Sequence, residues 1–161
     1  MLARWIRMGS TDPLDFDEAC GRVASAQASA ASPIVLWGET ACAYPFALIA
    51  PRRLAPGNRL RWPAWGLAPA VATYRQFGMP AYLDGNELCL HGRRVADSVV
   101  EAIGECLVVA SSFLAQFPAT CMPTPSAALE QAYRLRLEAQ HGWQFEHSWP
   151  TRPETLDHAV A

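Results

Sequence analysis

Apolar positions in this chain fall into short runs separated by turn-forming residues, with helical spacing in three places. Residues 5–8 (WIRM) predict an opening strand. Asp12 then offers a helix N-cap, and Pro13 suits the first helical position. Phe16, Ala19, Cys20 and Val23 recur at helical intervals and predict a helix over 13–30, ended by Ser32-Pro33. Residues 34–37 and 45–50 are unbroken apolar runs that predict strands. Between 51 and 66, prolines and glycines alternate with arginine and tryptophan, which predicts a loop with a short strand near 59–62. A short helix over 67–77 is stopped by Gly78.

Period-two patterning follows. Residues 81–83, 88–90 and 93–100 predict strands joined by turns at Asp84-Gly85-Asn86 and His91-Gly92, an antiparallel meander. Another turn at Gly104 leads into the strand 106–114. The last strong element is a helix that Thr124 caps, Pro125 opens and Gly142 ends. Leu129, Tyr133 and Leu137 form its buried stripe. After Trp149 the chain turns polar, so 150–161 is expected to fray, with a helical turn over 154–158. Strands and helices in this order predict one α+β domain over 1–161, a mixed and largely antiparallel sheet packed by helices.

Composition narrows the function classes. The 161 residues are 51% hydrophobic with a net charge of −2, which speaks against a nucleic-acid partner. The apolar runs are too short to cross a membrane, and no secretory signal precedes the first strand, so a cytoplasmic location is expected. The five cysteines have no C-x-x-C spacing and an odd count, which speaks against a disulfide framework, and most sit in apolar surroundings that predict buried thiols. His141 and His147 lack clustered partners, so no metal is expected. All thirteen basic residues are arginine. No chemistry that needs a side-chain amine can run on this chain alone.

Several stretches resemble the lipoate branch of the biotin/lipoate protein ligase family. Asp17-Glu18-Ala19 is similar to the acidic stretch of that family's first helix, and Phe77-Gly78-Met79-Pro80-Ala81 to the entry into its central sheet. Asp84-Gly85-Asn86-Glu87-Leu88 resembles a family turn. The densest block is His91-Gly92-Arg93-Arg94-Val95-Ala96-Asp97-Ser98, which resembles the family's G-R-K-I-A-G-S strand. Residues 107–114 (LVVASSFL) resemble its H-G-T-L-L strand, and Glu138-Ala139-Gln140-His141-Gly142-Trp143 the end of its last helix.

The resemblance implies a class II synthetase-like core and a reaction in which ATP activates lipoate, octanoate or biotin as an acyl-adenylate for transfer to a lysine. It also exposes three losses. Arg94 stands where the family has the lysine that steadies developing charge. Asp97 replaces a glycine beside the phosphates. The glycine-rich R-R-x-S-G-G-G loop has no counterpart, because Arg52-Arg53 is followed by Leu54-Ala55-Pro56-Gly57. The expected protein is therefore a degenerate ligase relative without ligase catalysis, a small-carboxylate-binding or protein-interaction domain. Arg94, Ala96, Ser98, Ser111, Ser112 and Asn86 are its expected ligand-binding residues. No cofactor is expected, and ATP with lipoate or biotin enters only if the ligase reading holds. The partners implied are a lipoyl-type acceptor protein or a complementing ligase subunit. The alternative enzyme is an octanoyl- or lipoyl-transferase that uses Cys121 as a thioester-forming nucleophile, since residues 117–121 (FPATC) resemble the P-C segment of related transferases.

Overall fold

In the computed structural model, residues 1–26, 32–115 and 126–155 are described. The strands are β1 (Leu2–Ser10), β2 (Ile34–Glu39), β3 (Ala43–Pro51), β4 (Tyr82–Asp84), β5 (Glu87–Leu90), β6 (Arg93–Ala96), β7 (Val99–Ile103), β8 (Cys106–Leu114) and β9 (Gln144–Ser148). The helices are α1 (Pro13–Ala26), α2 (Trp62–Gln76), α3 (Ser126–His141) and α4 (Arg152–Thr155). Six strands form one sheet in the order β7-β8-β3-β2-β1-β9, and β4-β5-β6 form a second, antiparallel one. β1 runs parallel to both β2 and β9, whereas β2, β3, β8 and β7 pair antiparallel.

Side-chain alternation along the central strands sorts the apolar residues onto two faces. Trp5, Trp37, Phe46 and Phe113 point to the face covered by Leu67 and Tyr74 of α2 and by Leu129, Tyr133 and Leu137 of α3. Ile6, Leu36, Ile49 and Val108 point to the other face, under Phe16, Cys20 and Val23 of α1. Each such side chain contributes roughly 1.5–3 kcal/mol by leaving water. Aromatic pairs such as Phe46–Tyr133, with ring centroids 4.8 Å apart, add specific geometry.

α2 begins at Trp62, earlier than the predicted 67, and the expected strand at 59–62 is a 3-10 turn, Arg59–Arg61, which runs straight into it. The density of proline and glycine that reads as loop has a tertiary explanation. Pro63 lies in the first turn, where no N–H is needed. Gly66 lets the helix approach β8 so closely that a Cβ there would sit 2.6 Å from a Val109 methyl. Pro69 frees the Trp65 carbonyl, which instead accepts a 3.1 Å hydrogen bond from Gln140 Nε2 on α3.

The run 93–100 is two strands, not one. β6 belongs to the small sheet and β7 to the large one, with the break at Asp97-Ser98. β9 escapes the pattern because only Phe145 of its five residues is buried. The tail is also better anchored than its polarity predicts. The Arg4 guanidinium grips both carboxylate oxygens of Glu154 at 2.8 and 2.9 Å, and its Nε donates to Ser148 Oγ at 2.9 Å. The final helical turn is therefore α4, starting at Arg152, and it packs on α1. Burial pushes the Glu154 carboxyl up, but the bonds from Arg4 and Thr151 outweigh it and hold its pKa below the ordinary value. The predicted cap Thr124, Pro125 and the residues past 155 lie outside the described segments.

Candidate functional site

A cleft of ≈380 Å³ opens where the first turns of α1, the β2–β3 turn, the β6–β7 break and the end of β8 converge. Each wall has a local cause. On α1, Asp12 caps the helix by accepting from Leu14 N at 2.8 Å, which presents Phe16 and Asp17 to the cleft. The β2–β3 turn is cinched by Thr40, whose N–H and hydroxyl both donate to the Ala43 carbonyl, at 2.9 and 3.1 Å. This sets Cys42 on the rim. Across the β6–β7 break, the Ser98 and Ser111 hydroxyls hydrogen-bond at 2.9 Å. Ser111 also reaches the Asp97 carbonyl at 3.4 Å. These bonds satisfy a hydroxyl that is only 5% exposed and would otherwise cost free energy to bury.

Of the expected ligand-binding residues, Ala96, Ser111 and Ser112 line the cleft, and Ser98 reaches it only through its hydrogen bond to Ser111. Arg94 is not in the lining. It is 59% exposed and lies 3.3 Å from the Asp97 carboxylate, a surface pair of little energetic consequence. Asn86 belongs elsewhere, to a separate groove at the β4–β5 turn. The Arg52-Arg53 pair, which resembles only the opening of the family loop that this chain lacks, follows Pro51, which pairs with Cys106. The cleft lies at the other end of β3, where Ala43 pairs with Leu114. Cys121 and the segment around it lie outside the described residues. Among the described residues no group of three or more His, Cys, Asp or Glu is placed to hold a metal ion, and no helix is long and apolar enough to cross a membrane.

Charge in the cleft is one-sided. Asp17 and Asp97 are its only charged lining residues, and no arginine joins them among the described residues. Just before the turn, Glu39 accepts from Ser126 Oγ at 2.7 Å. Burial and the nearby Glu39 together hold the Tyr44 phenol above its ordinary pKa.

Cys42 was not singled out by the sequence, which predicts that most of the cysteines are buried. Cys20, Cys89 and Cys106 are indeed buried, but Cys42 is exposed. Its only sequence signal is its place in a short polar turn between two apolar strands. Burial pushes the Cys20 thiol up to about 12, which removes it from thiolate chemistry near neutrality. In a Cys121→Ser background, an aromatic disulfide reagent should label Cys42 within minutes and leave Cys20, Cys89 and Cys106 untouched until the protein is unfolded. Mass mapping of the labelled peptides checks this; early labelling of Cys20 would contradict it.

No protein-family model and no curated protein matches this sequence. The fold nevertheless defines a class: it is the fold of the lipoate and biotin protein ligase catalytic domains. A Thermoplasma acidophilum protein assigned as a lipoate protein ligase, solved with bound lipoic acid, superimposes with a TM-score of 0.75 at 7% identity, over 96% of this chain and 92% of that one. A structure from the bipartite lipoate protein ligase and E2 lipoyl domain system of the same organism gives 0.74 at 7% identity, over 96% and 89%. The biotin protein ligase of Aquifex aeolicus gives 0.60 at 12% identity, over 87% and 69%.

Proposed function

We propose that this chain is a ligase-fold binding domain that does not activate carboxylic acids. The observation that supports this reading is the charge of the cleft. Making an acyl-adenylate gathers a carboxylate and a polyphosphate in one place, and cations must neutralise them. Here the lining offers two carboxylates and no guanidinium, Arg94 sits beside Asp97 at the surface, and the sequence contains no lysine. Asp97 is exposed and already paired with Arg94, so the bar to a second anion is the lack, among the described residues, of a free cation in the lining rather than a large repulsion. The three-residue β2–β3 turn has no glycine whose bare backbone could cradle a phosphate. The same lack of a cation disfavours the small carboxylate ligand expected from the sequence. An uncharged, mainly apolar group fits the Phe16, Pro45, Val95, Val99 and Leu114 walls better.

Incubation with ATP, with lipoate, octanoate or biotin in turn, and with a lipoyl- or biotinyl-acceptor domain should leave the acceptor's mass unchanged. An acylated acceptor would overturn the reading.

A second arrangement draws support from the bipartite ligase system among the structural neighbours. In it, another polypeptide would supply the phosphate cradle and the missing cation, and this chain would be one subunit of a split ligase. Isolation from the native source distinguishes the two. A heteromeric complex with ATP-dependent acyl transfer supports the split enzyme, and a lone monomer rules it out.

A further inference from the structure

We propose that the arginine-rich shelf around Trp62 docks an acidic, leucine-bearing segment of a partner protein. This goes beyond the cleft reading and holds whether or not the cleft is catalytic. Residues 40–83 carry Arg52, Arg53, Arg59, Arg61 and Arg75 but not a single aspartate or glutamate. In a chain whose net charge is −2, basic and acidic residues are thus segregated along the sequence, and Arg52, Arg53, Arg59 and Arg61 are exposed.

The shelf is built in advance. Asn58 Oδ1 accepts from Leu60 N at 3.0 Å and sets the Arg59–Arg61 turn. Arg52 N donates to the Glu105 carbonyl at 2.8 Å. The Trp62 indole donates to the Pro56 carbonyl at 2.7 Å. The Arg52 and Arg59 guanidiniums then lie 5.9 and 5.2 Å from the centre of that one ring. Cation–π attraction accounts for each contact singly. It does not explain two like charges gathered at one indole, since neither Arg52, Arg59 nor Arg61 has an ion pair among the described residues. An anion arriving between them relieves that repulsion and meets donors already in place, the condition under which charge complementarity gives affinity as well as steering.

Next to the shelf runs a groove of ≈610 Å³ walled by Leu60, Pro63, Val100 and Ala102, with Asn86 at one end. Leu60 is 87% exposed, an apolar side chain held out to solvent on an ordered turn. Carboxylates for the guanidiniums and an aliphatic side chain for the groove together describe a short acidic peptide with apolar residues. Trp and Arg are also the side chains that most often anchor such contacts. Carboxylates limit the charge along the groove: Glu101 lines it, Glu105 follows at the β7–β8 turn, and Asp84 and Glu87 flank its Gly85-Asn86 edge. The positive charge is concentrated at the Trp62 end, where the Arg52 and Arg59 guanidiniums lie. A nucleic acid fits less well, because Trp62 is 8% exposed and roofed by guanidiniums, so it offers no face for base stacking.

The test uses the full chain and three fluorescent probes followed by anisotropy: a peptide of about ten residues alternating glutamate and leucine, the same peptide with lysine for glutamate, and a single-stranded oligonucleotide of similar charge. The Glu/Leu peptide should bind, and binding should weaken as salt rises from about 0.05 to 0.5 M. Its dissociation constant should rise at least about tenfold in Arg52→Glu/Arg59→Glu and more modestly in Leu60→Ser. These side chains are exposed, and unchanged circular dichroism confirms that the variants fold. No binding of the Glu/Leu peptide up to about 1 mM, equal binding of the lysine peptide, indifference to the double charge reversal, or tighter binding of the oligonucleotide would each overturn the proposal.

Discussion

Glu130→Ala is expected to cost about 3 kcal/mol of folding stability, the largest loss foreseen for any single polar substitution. Glu130 sits on the buried side of α3, 7% exposed. Its Oε2 accepts from the Trp5 indole at 2.7 Å and from Arg7 Nε at 2.9 Å. Trp5 is fully buried at the centre of the aromatic cluster, edge-on to Phe145 at 5.3 Å and stacked near Trp37 at 6.2 Å. Alanine would leave the indole N–H without an acceptor in a region water does not reach, and would open a void beside it. The first effect costs roughly 1–3 kcal/mol and the second adds to it. Arg7, 60% exposed on its side chain, can return to water, so its lost ion pair adds little. For a chain of this size the total corresponds to a fall in Tm of roughly 6–12 °C. Glu130→Gln keeps an acceptor for Trp5 and should lose only about 1 kcal/mol. Urea unfolding of both variants checks this; equal losses would show that volume, not the indole bond, sets the cost.

Acidification should act mainly through His141. Its ring lies flat on Trp143 with centroids 4.3 Å apart and tilts against Trp65 at 4.9 Å. Its Nε2 is buried with no hydrogen-bond partner in the structure. Burial penalises the imidazolium and lowers the pKa to about 4 from the ordinary 6.5. The unfolded chain takes up this proton near 6.5, whereas the folded chain resists it down to about 4. The contribution is therefore fully present above about 6.5 and is lost progressively as the pH falls toward 4. The whole shift would correspond to about 3 kcal/mol. Allowing for the part of the ring that water reaches, a loss of about 1–2 kcal/mol is expected between pH 7.5 and 4.5. His141→Phe keeps the aromatic stack and should flatten this slope. Urea titrations of both proteins at the two pH values decide it, and parallel slopes would remove His141 from the account.

Much of the architecture was legible because local rules and tertiary needs agree. α1 follows from Asp12, Pro13 and the spacing of Phe16, Cys20 and Val23. β2, β3 and β8 follow from uninterrupted apolar runs, and the small antiparallel sheet follows from its two turns. Legibility failed where the reason for a residue lies on another element. Pro63 and Gly66 read as loop until α2 is seen to need a proline in its first turn and a close approach to Val109. β9 is an edge strand with one buried residue, and Glu154 appears free until Arg4 reaches it from the far end of the chain. The candidate site divides in the same way. Ala96, Ser111 and Ser112, singled out within stretches that resemble the ligase family, lie together in the cleft lining. The turn that carries Cys42 has no pattern to read, and Arg94 and Asn86 share short motifs with the site but point elsewhere in space. The acidic character of the cleft was visible only in part. Asp97 stood out in the sequence, but its convergence with Asp17 arises from packing α1 against the β6–β7 break.

Isotope exchange between pyrophosphate and ATP tests that electrostatic account most directly, because it reports adenylate formation without any acceptor protein. With the purified chain and saturating lipoate, octanoate or biotin, exchange should not rise above that of a protein-free control. Carboxylate-dependent exchange by the chain alone would contradict it, since it would mean that a chain without lysine still brings a carboxylate and a polyphosphate together.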